Sequence, residues 1–221
     1  MDHPTGALIQ SAAANLRPDS GHRGFLVIDN FYDDPDAVRA LALRQQYSEE
    51  PAVYTGWRST ARLLSEPMLA RFRMWLGARV LNAGNPHSGS FQCGISSNKI
   101  CIHADPCSYA GVIYLTPHAP SESGTSFFRH RSIGATHGPM PEDALRRNKS
   151  VEALRDELFR VNTYNNGDPA VDEVWDEVDR VGNVYNRLVL WDGMRIHAAS
   201  NYFGDSLGTG RLVQVFFFST E

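Results

Sequence analysis

Apolar and polar residues follow two different periods along this chain. Near the start, Phe25-Leu-Val-Ile28 is a short unbroken apolar run, which predicts a buried strand. After it, Val38, Leu41 and Ala42 fall on one helical face. Asp34 suits the N-cap of that helix. Pro35 suits its first position, where the missing N–H has no partner to lose. A second helical period covers residues 66–81, with Leu69, Phe72, Trp75 and Leu76 on one face. Such a stripe is core packing, and it suits the outer face of a sheet. From there a period of two takes over. Residues 91–95, 99–103, 110–115 and 125–130 read as strands. So do residues 188–191, 196–199 and 211–218.

Three stretches break the pattern. Residues 1–23 read as a loose polar arm. Residues 47–64 look irregular, with Tyr54-Thr-Gly-Trp-Arg58 as their most distinctive piece. A long loop of this kind either covers a barrel mouth or packs on the outside. Residues 131–183 carry amphipathic, charged helical segments around Pro141 and Val151 and a turn at Asn165-Asn-Gly-Asp-Pro169. They read as an insertion between two core strands. Many short strands, two early helices and a helical insertion predict a mainly β fold with flanking helices. Its core would be a double-stranded β-helix, a jelly-roll of two packed antiparallel sheets. At 221 residues a single domain is expected, with a lead-in at 24–90 and the core at 91–218.

Composition narrows the function classes. A net charge of −4, with basic residues scattered, offers no electrostatic case for nucleic acid or an anionic membrane. No apolar run has the length of a membrane helix. The start Met1-Asp-His-Pro-Thr lacks the charged-then-apolar form of a signal sequence. Cys93, Cys101 and Cys107 are odd in number and form no Cys-x-x-Cys, which fits a reducing cytoplasm.

The candidate chemistry centres on Ile100-Cys-Ile-His103-Ala-Asp105-Pro106. Residues two apart on a strand share a face, so His103 and Asp105 point the same way. Pro106 ends the strand. Two ligands do not make a usable metal site, and the third candidate is His197, just past the Asp192-Gly193 turn. Two histidines and a carboxylate form the facial triad of non-haem Fe(II), with open positions for co-substrate and oxygen. Arg211 follows His197 and opens an almost wholly apolar strand. Its planar fork suits a carboxylate.

This ordered set, His103-x-Asp105, then His197, then Arg211, resembles the Fe(II)/2-oxoglutarate-dependent dioxygenases. Tyr109-Ala-Gly-Val-Ile-Tyr-Leu-Thr116 followed by Gly124-Thr-Ser-Phe-Phe128 is similar to the paired strands of their prolyl-4-hydroxylase-like branch. The resemblance covers roughly residues 91–218. It implies the jelly-roll fold, Fe(II) on His103, Asp105 and His197, and O2 and 2-oxoglutarate as co-substrates. Arg211 would hold the far carboxylate, and Tyr114 would add a hydrogen bond. Oxidation of a substrate, by hydroxylation, desaturation or ring closure, would then accompany release of succinate and CO2. Asp105 argues against a halogenase, because related halogenases leave that position for chloride.

Plainer readings stand beside these. His103 and Asp105 alone could form a simple ion pair, and Cys101 packs as a small hydrophobe. His130 and His137 fall closer to the suspected mouth than the remaining histidines, with nothing to mark them as ligands. Arg129 and Arg131 either form a solvated edge or meet an acidic substrate, and Trp191 is a further candidate for substrate contact. The expected partner is a small molecule such as an amino acid or a secondary-metabolite intermediate. Two other classes stay open: a jelly-roll module that binds an anion without metal, and a cupin-like metalloenzyme that does not use 2-oxoglutarate. The chain has no His-x-His, which weakens the second.

Overall fold

In the computed structural model, residues 24–49, 56–76, 81–82 and 84–220 are described. The expected polar arm, 1–23, lies outside them. The chain enters through β1 (Leu26–Ile28) and α1 (Pro35–Leu43). Asp34 Oδ1 accepts from the Ala37 N–H at 2.9 Å and Pro35 takes the first helical position, as the N-cap chemistry predicts. Next come β2 (Tyr47–Glu49), β3 (Trp57–Arg62), α2 (Glu66–Leu76), β4 (Leu81–Asn82), β5 (Ser90–Gly94), β6 (Ile100–Cys101), β7 (Tyr109–Tyr114) and β8 (Thr125–His130). Then follow α3 (Pro141–Arg147), α4 (Val151–Leu158), β9 (Thr163–Tyr164), α5 (Val171–Val174), β10 (Trp175–Val181), β11 (Leu188–Asp192), β12 (His197–Ala199) and β13 (Arg211–Thr220).

The major sheet runs β1-β11-β7-β13-β5-β3-β2, with β4 also paired to β13. The minor sheet runs β10-β8-β12, and its ladders are antiparallel like those of the major sheet. This is the expected jelly-roll. Strand β13 shows how the two layers are made. Leu212, Phe216 and Phe218 pack on the outer face with Phe72, Trp75 and Leu76 of α2. Val213, Val215 and Phe217 face the other way, toward Phe127 of β8 and Val181 of β10. A strand buried on both faces has no polar side, which is why its sequence is a nearly continuous apolar run. The one polar residue within this outer row, Gln214, is satisfied: its amide donates to the carbonyls of Leu63 (2.6 Å) and Gly89 (3.1 Å).

Three expectations need correction. The stretch 47–64 is not an irregular loop. Its described part forms the β2–β3 edge of the major sheet, with Arg58 and Ser59 buried. Polar residues hide that strand in the sequence, because Ser59 Oγ is used to accept from the Phe91 N–H at 2.8 Å. Tyr54 lies outside the described residues. Helix α2 is described over Glu66–Leu76, residues 77–80 of the expected helix lie outside the described residues, and Leu81, expected at its end, belongs to β4. The segment 131–183 is not wholly an insertion either. Its last part is β10, which pairs with β8 along the minor sheet. The helices α3, α4 and α5 and the short β9 project from the jelly-roll. Their apolar residues Leu158, Tyr164 and Val174 pack with Phe128, Trp175 and Ile196. No helix among the described residues is long and apolar enough to cross a membrane.

Candidate metal centre

His103 lies just past β6 and forms an antiparallel bridge with His197, the first residue of β12. The His103 N–H donates to the His197 carbonyl (3.0 Å), and the His197 N–H donates back (2.8 Å). A mutually bonded pair sets both side chains on one face, and the rings stand 4.4 Å apart. Asp105 is fixed through its N–H, which donates to the Gly193 carbonyl at 2.8 Å. Gly193 stands in the turn after β11. A Cβ there would lie 2.4 Å from the Cys107 carbonyl oxygen and 3.0 Å from that of Asp105. Only glycine permits this close approach of two backbones.

Both imidazoles are held in one tautomer. His103 Nδ1–H donates to the Cys101 carbonyl (2.9 Å), and His197 Nδ1–H donates to the Arg195 carbonyl (2.7 Å). A carbonyl only accepts, so Nδ1 carries the proton and Nε2 of a neutral ring keeps its lone pair for a metal. The two Nε2 atoms converge on Asp105, at 3.7 Å from Oδ1 and 3.3 Å from Oδ2. All three ligand atoms lie within 4.8 Å of one another. Ligand atoms about 2.1 Å from a divalent ion and at right angles stand about 3 Å apart, so the triad fits such an ion with little adjustment. Burial opposes the charge on Asp105, but His103, His197 and Arg155 around it outweigh that and hold its pKa below the usual carboxylate value.

Two cavities meet at this point, sharing Cys101, His103, Asp105 and Phe217. The narrower, about 70 Å³, lies between the sheets and is lined further by Gln92, Thr125, Trp191, Tyr202 and Arg211. The wider, about 670 Å³, lies against the helical insertion, with Arg155, Asp156, Phe159 and Asn162 in its wall. Asp105 and His197 are buried, whereas the His103 side chain is 28% exposed.

Arg211 is 6% exposed. Its Nε donates to the Ser123 carbonyl and its Nη2 to the Gly124 carbonyl, both at 2.8 Å. Among the described residues it has no carboxylate partner, and Nη1 has no acceptor. A buried guanidinium without an anion is costly, so this position fits a carboxylate brought by a ligand. Gly124 makes the cradle possible, because a Cβ there would meet the Val181 carbonyl oxygen at 1.8 Å. A second orphan donor lies nearby: Trp191 lines the same cavity, packs edge-on to His197 at 4.8 Å, and its indole N–H has no partner among the described residues.

The other candidates from the sequence fall in different places. Tyr114 is not in the cavity wall. Its ring lies under the Arg211 guanidinium, 5.3 Å from its centre, and its hydroxyl shares a 2.8 Å hydrogen bond with Thr125 Oγ1. Arg129 and Arg131 stand at and just past the end of β8, half-exposed and both paired to Asp176 (2.8 and 2.9 Å). Neither reaches the triad cavities. His130 and His137 line a separate cavity of about 640 Å³ beside α3 and α4, which includes no triad residue. Cys101 lines the site, yet it is outside the cluster of ligand atoms.

Several site residues escaped the sequence reading. Gln92 and Thr125 sit in strands predicted only as strands, and the alternation that buries their neighbours was the available signal. Arg155 and Asn162 lie in the insertion. Arg155 donates through Nη2 to the Ala104 carbonyl, between the two ligands of the His-x-Asp pair. Asn162 accepts from the Ile102 N–H through its carbonyl (2.7 Å) and donates to the Ile102 carbonyl through Nδ2 (3.0 Å). Nothing in the charged helix that carries Arg155, or in the link that carries Asn162, marks these contacts.

Solved structures with the same fold have 2-oxoglutarate and iron chemistry in their descriptions. The chain is similar to SnoN, a non-haem α-ketoglutarate-dependent epimerase from nogalamycin biosynthesis (15% identity, 96% of this chain and 81% of that one, TM-score 0.56). It is similar to HygX from Streptomyces hygroscopicus with nickel and 2-oxoglutarate bound (15% identity, 99% and 87%, TM-score 0.51). It is also similar to a prolyl hydroxylase from Trichoplax adhaerens in complex with a hypoxia-inducible-factor peptide fragment (11% identity, 96% and 90%, TM-score 0.51). At these identities the likeness establishes the fold, that of the 2-oxoglutarate-Fe(II) oxygenases, prolyl hydroxylases among them. No curated protein matches the sequence. A family model does match, over residues 86–218, which take in the triad, Arg211, the whole minor sheet and four of the eight strands of the major sheet. The chain therefore belongs to the family of unknown function DUF6445.

Proposed function

We propose that this chain is a single-domain Fe(II)/2-oxoglutarate-dependent oxygenase acting on a small molecule. The observation that carries the reading is one narrow cavity with the His103–Asp105–His197 cluster and, in the same wall, a buried Arg211 that has no carboxylate partner among the described residues. His103 Nε2, His197 Nε2 and an Asp105 oxygen would hold Fe(II). With O2 and 2-oxoglutarate, the iron would supply oxidation of a substrate coupled to release of succinate and CO2.

The chain's own residues do the positioning. The Cys101 and Arg195 carbonyls fix the ring orientation of the two histidines. Arg211, held by the Ser123 and Gly124 carbonyls and backed by the Tyr114 ring, presents its remaining donors to the far carboxylate of 2-oxoglutarate. Trp191 offers an N–H along the same wall. Tyr114 acts on Arg211 rather than on the ligand. The wider cavity, at about 670 Å³, falls in the size range of small-molecule sites and gives the substrate its approach. The named activities of the similar structures range from an epimerase to a prolyl hydroxylase, so the fold leaves the ending of the oxidation to the substrate.

The test is anaerobic titration of Fe(II) and then 2-oxoglutarate, followed by the visible charge-transfer band of the complex, and succinate release on admitting oxygen. Binding of 2-oxoglutarate that needs no metal would favour the anion-binding module instead. Metal binding with no response to 2-oxoglutarate would favour the cupin-like reading.

A further inference from the structure

The wider cavity has its own charge pattern, which the metal and co-substrate do not use. Arg155 of α4 is half-buried in its wall. It has one contact through Nη2, to the Ala104 carbonyl, and no carboxylate partner among the described residues. If the proposed function is correct, the charges of a divalent ion, Asp105, dianionic 2-oxoglutarate and Arg211 cancel. Arg155 is then a positive charge left over beside the reacting position, with its other donors available. The next residue, Asp156, lines the same cavity from its exposed side and has no cation partner among the described residues. The same wall includes the apolar rings of Phe159 and Phe217, and Phe217 also lines the narrower triad cavity.

We infer that the substrate is a small zwitterion with an apolar body, of the class of free apolar amino acids, bound with its carboxylate on Arg155. The guanidinium supplies a paired, charge-assisted contact for the carboxylate. Asp156 attracts the ammonium group and repels a second carboxylate, so it selects against diacids, 2-oxoglutarate included. The aromatic rings shelter the body of the molecule next to the triad. Arg155 has a double position, since the residue that reads the substrate also holds the carbonyl between His103 and Asp105.

This inference rests on the Fe(II)/2-oxoglutarate reading, and the experiment separates the two. The anaerobic complex of the full chain with Fe(II) and 2-oxoglutarate is titrated with L-leucine, L-methionine, L-phenylalanine and L-tryptophan, each against its own carboxamide. The expected result is that at least one acid shifts the visible band, with its carboxamide at least about tenfold weaker. Arg155→Gln keeps a donor for the Ala104 carbonyl and removes the charge. It should weaken the acid by about thirty-fold or more, erase the preference over the carboxamide, and leave the band formed by 2-oxoglutarate in place. Acid and carboxamide of equal strength in the unaltered chain, or no shift with any of the eight compounds, would overturn the inference without touching the cofactor reading. Failure of the band to form before any acid is added would instead remove the cofactor reading and this inference with it.

Discussion

Arg211 lines one and Arg155 the other of the two cavities that share His103 and Asp105, and they come from different kinds of chain. Arg211 opens β13, in the middle of the major sheet, with β7 on one side and β5 on the other. Its neighbours are set by strand register. Val213 and Val215 share its face, and the Ser123 and Gly124 carbonyls across the gap fix its fork. Arg155 sits on a helix that projects from the jelly-roll, in an open cavity, with a single carbonyl to hold it. On the reading proposed above, the first cation, shaped by the sheet itself, would hold the co-substrate. The second belongs to an elaboration of the fold and suits a substrate particular to this chain.

Breaking the centre from which both sides are measured should have the largest effect. His197→Ala removes a ligand that lies 3.3 Å from Asp105. Partners of metal ligands are typically worth about 10–100-fold in affinity, and a ligand itself should exceed that. Iron affinity in an anaerobic equilibrium titration should fall by at least about 100-fold, with similar losses for His103→Ala and Asp105→Ala. Undiminished iron binding in all three would reduce the triad to an ion-pair cluster.

The next effect distinguishes the two arginines. Arg211→Ala should weaken 2-oxoglutarate by about thirty-fold or more, since one partner of a buried charged pair is worth on the order of 2–5 kcal/mol. Iron affinity should be unchanged, because no Arg211 atom is part of the ligand cluster. Arg211→Lys keeps the charge and loses the fork, so its loss should be smaller. Equal 2-oxoglutarate affinity in Arg211→Ala and the unaltered chain would move the clamp elsewhere.

A third change probes the frame that keeps both sides in register. Gly193→Ala places a methyl 2.4 Å from the Cys107 carbonyl oxygen, and backbone must move to admit it. Overpacking of this kind costs about 1–3 kcal/mol. The melting temperature should drop by several degrees, and iron affinity should weaken as Asp105 shifts. A variant with normal iron binding and normal melting would mean that the turn relaxes without moving Asp105.

The contrast also explains what could be read from the sequence. Strands β7, β8, β11 and β13 announce themselves because an apolar run bounded by turn residues has few other uses. His103 and Asp105 then follow from a period of two, and His197 from its place after the Asp192-Gly193 turn. Strand β3, beside the short edge strand β2, was missed because half of its residues are exposed and its buried Ser59 uses its hydroxyl on a backbone N–H. Arg155 and Asn162 were missed for a different reason. Their contacts with residues 102 and 104 join segments more than fifty positions apart, and neither the charged helix face of Arg155 nor an asparagine in a link such as Asn162 looks different when it meets a strand end rather than water. Arg129 and Arg131 are the converse case. Two arginines near Gly124-Thr-Ser-Phe-Phe128 suggest an anion site, yet β8 is buried only from Thr125 to Phe128, and Arg129, on the same face as Thr125 and Phe127, lies past that stretch and is exposed.

That converse case gives the smallest expected effect and a sharp control. Arg129 and Arg131 share one acidic partner, Asp176, through contacts of 2.8 and 2.9 Å, and each arginine side chain is 51% exposed. Ion pairs this open to water are screened and contribute little to stability. The two arginines hold Asp176 below the usual carboxylate pKa, led by its hydrogen bond from Arg129, so that carboxylate is ionised and takes up both cations before any ligand arrives. The double variant Arg129→Ala, Arg131→Ala should therefore melt within about 2 °C of the unaltered chain. Its affinities for Fe(II), for 2-oxoglutarate and for whichever amino acid shifts the band should be unchanged. A tenfold loss in the last of these would place the substrate's carboxylate at the end of β8 rather than on Arg155. The substrate would then have to reach beyond both triad cavities, neither of which these arginines line.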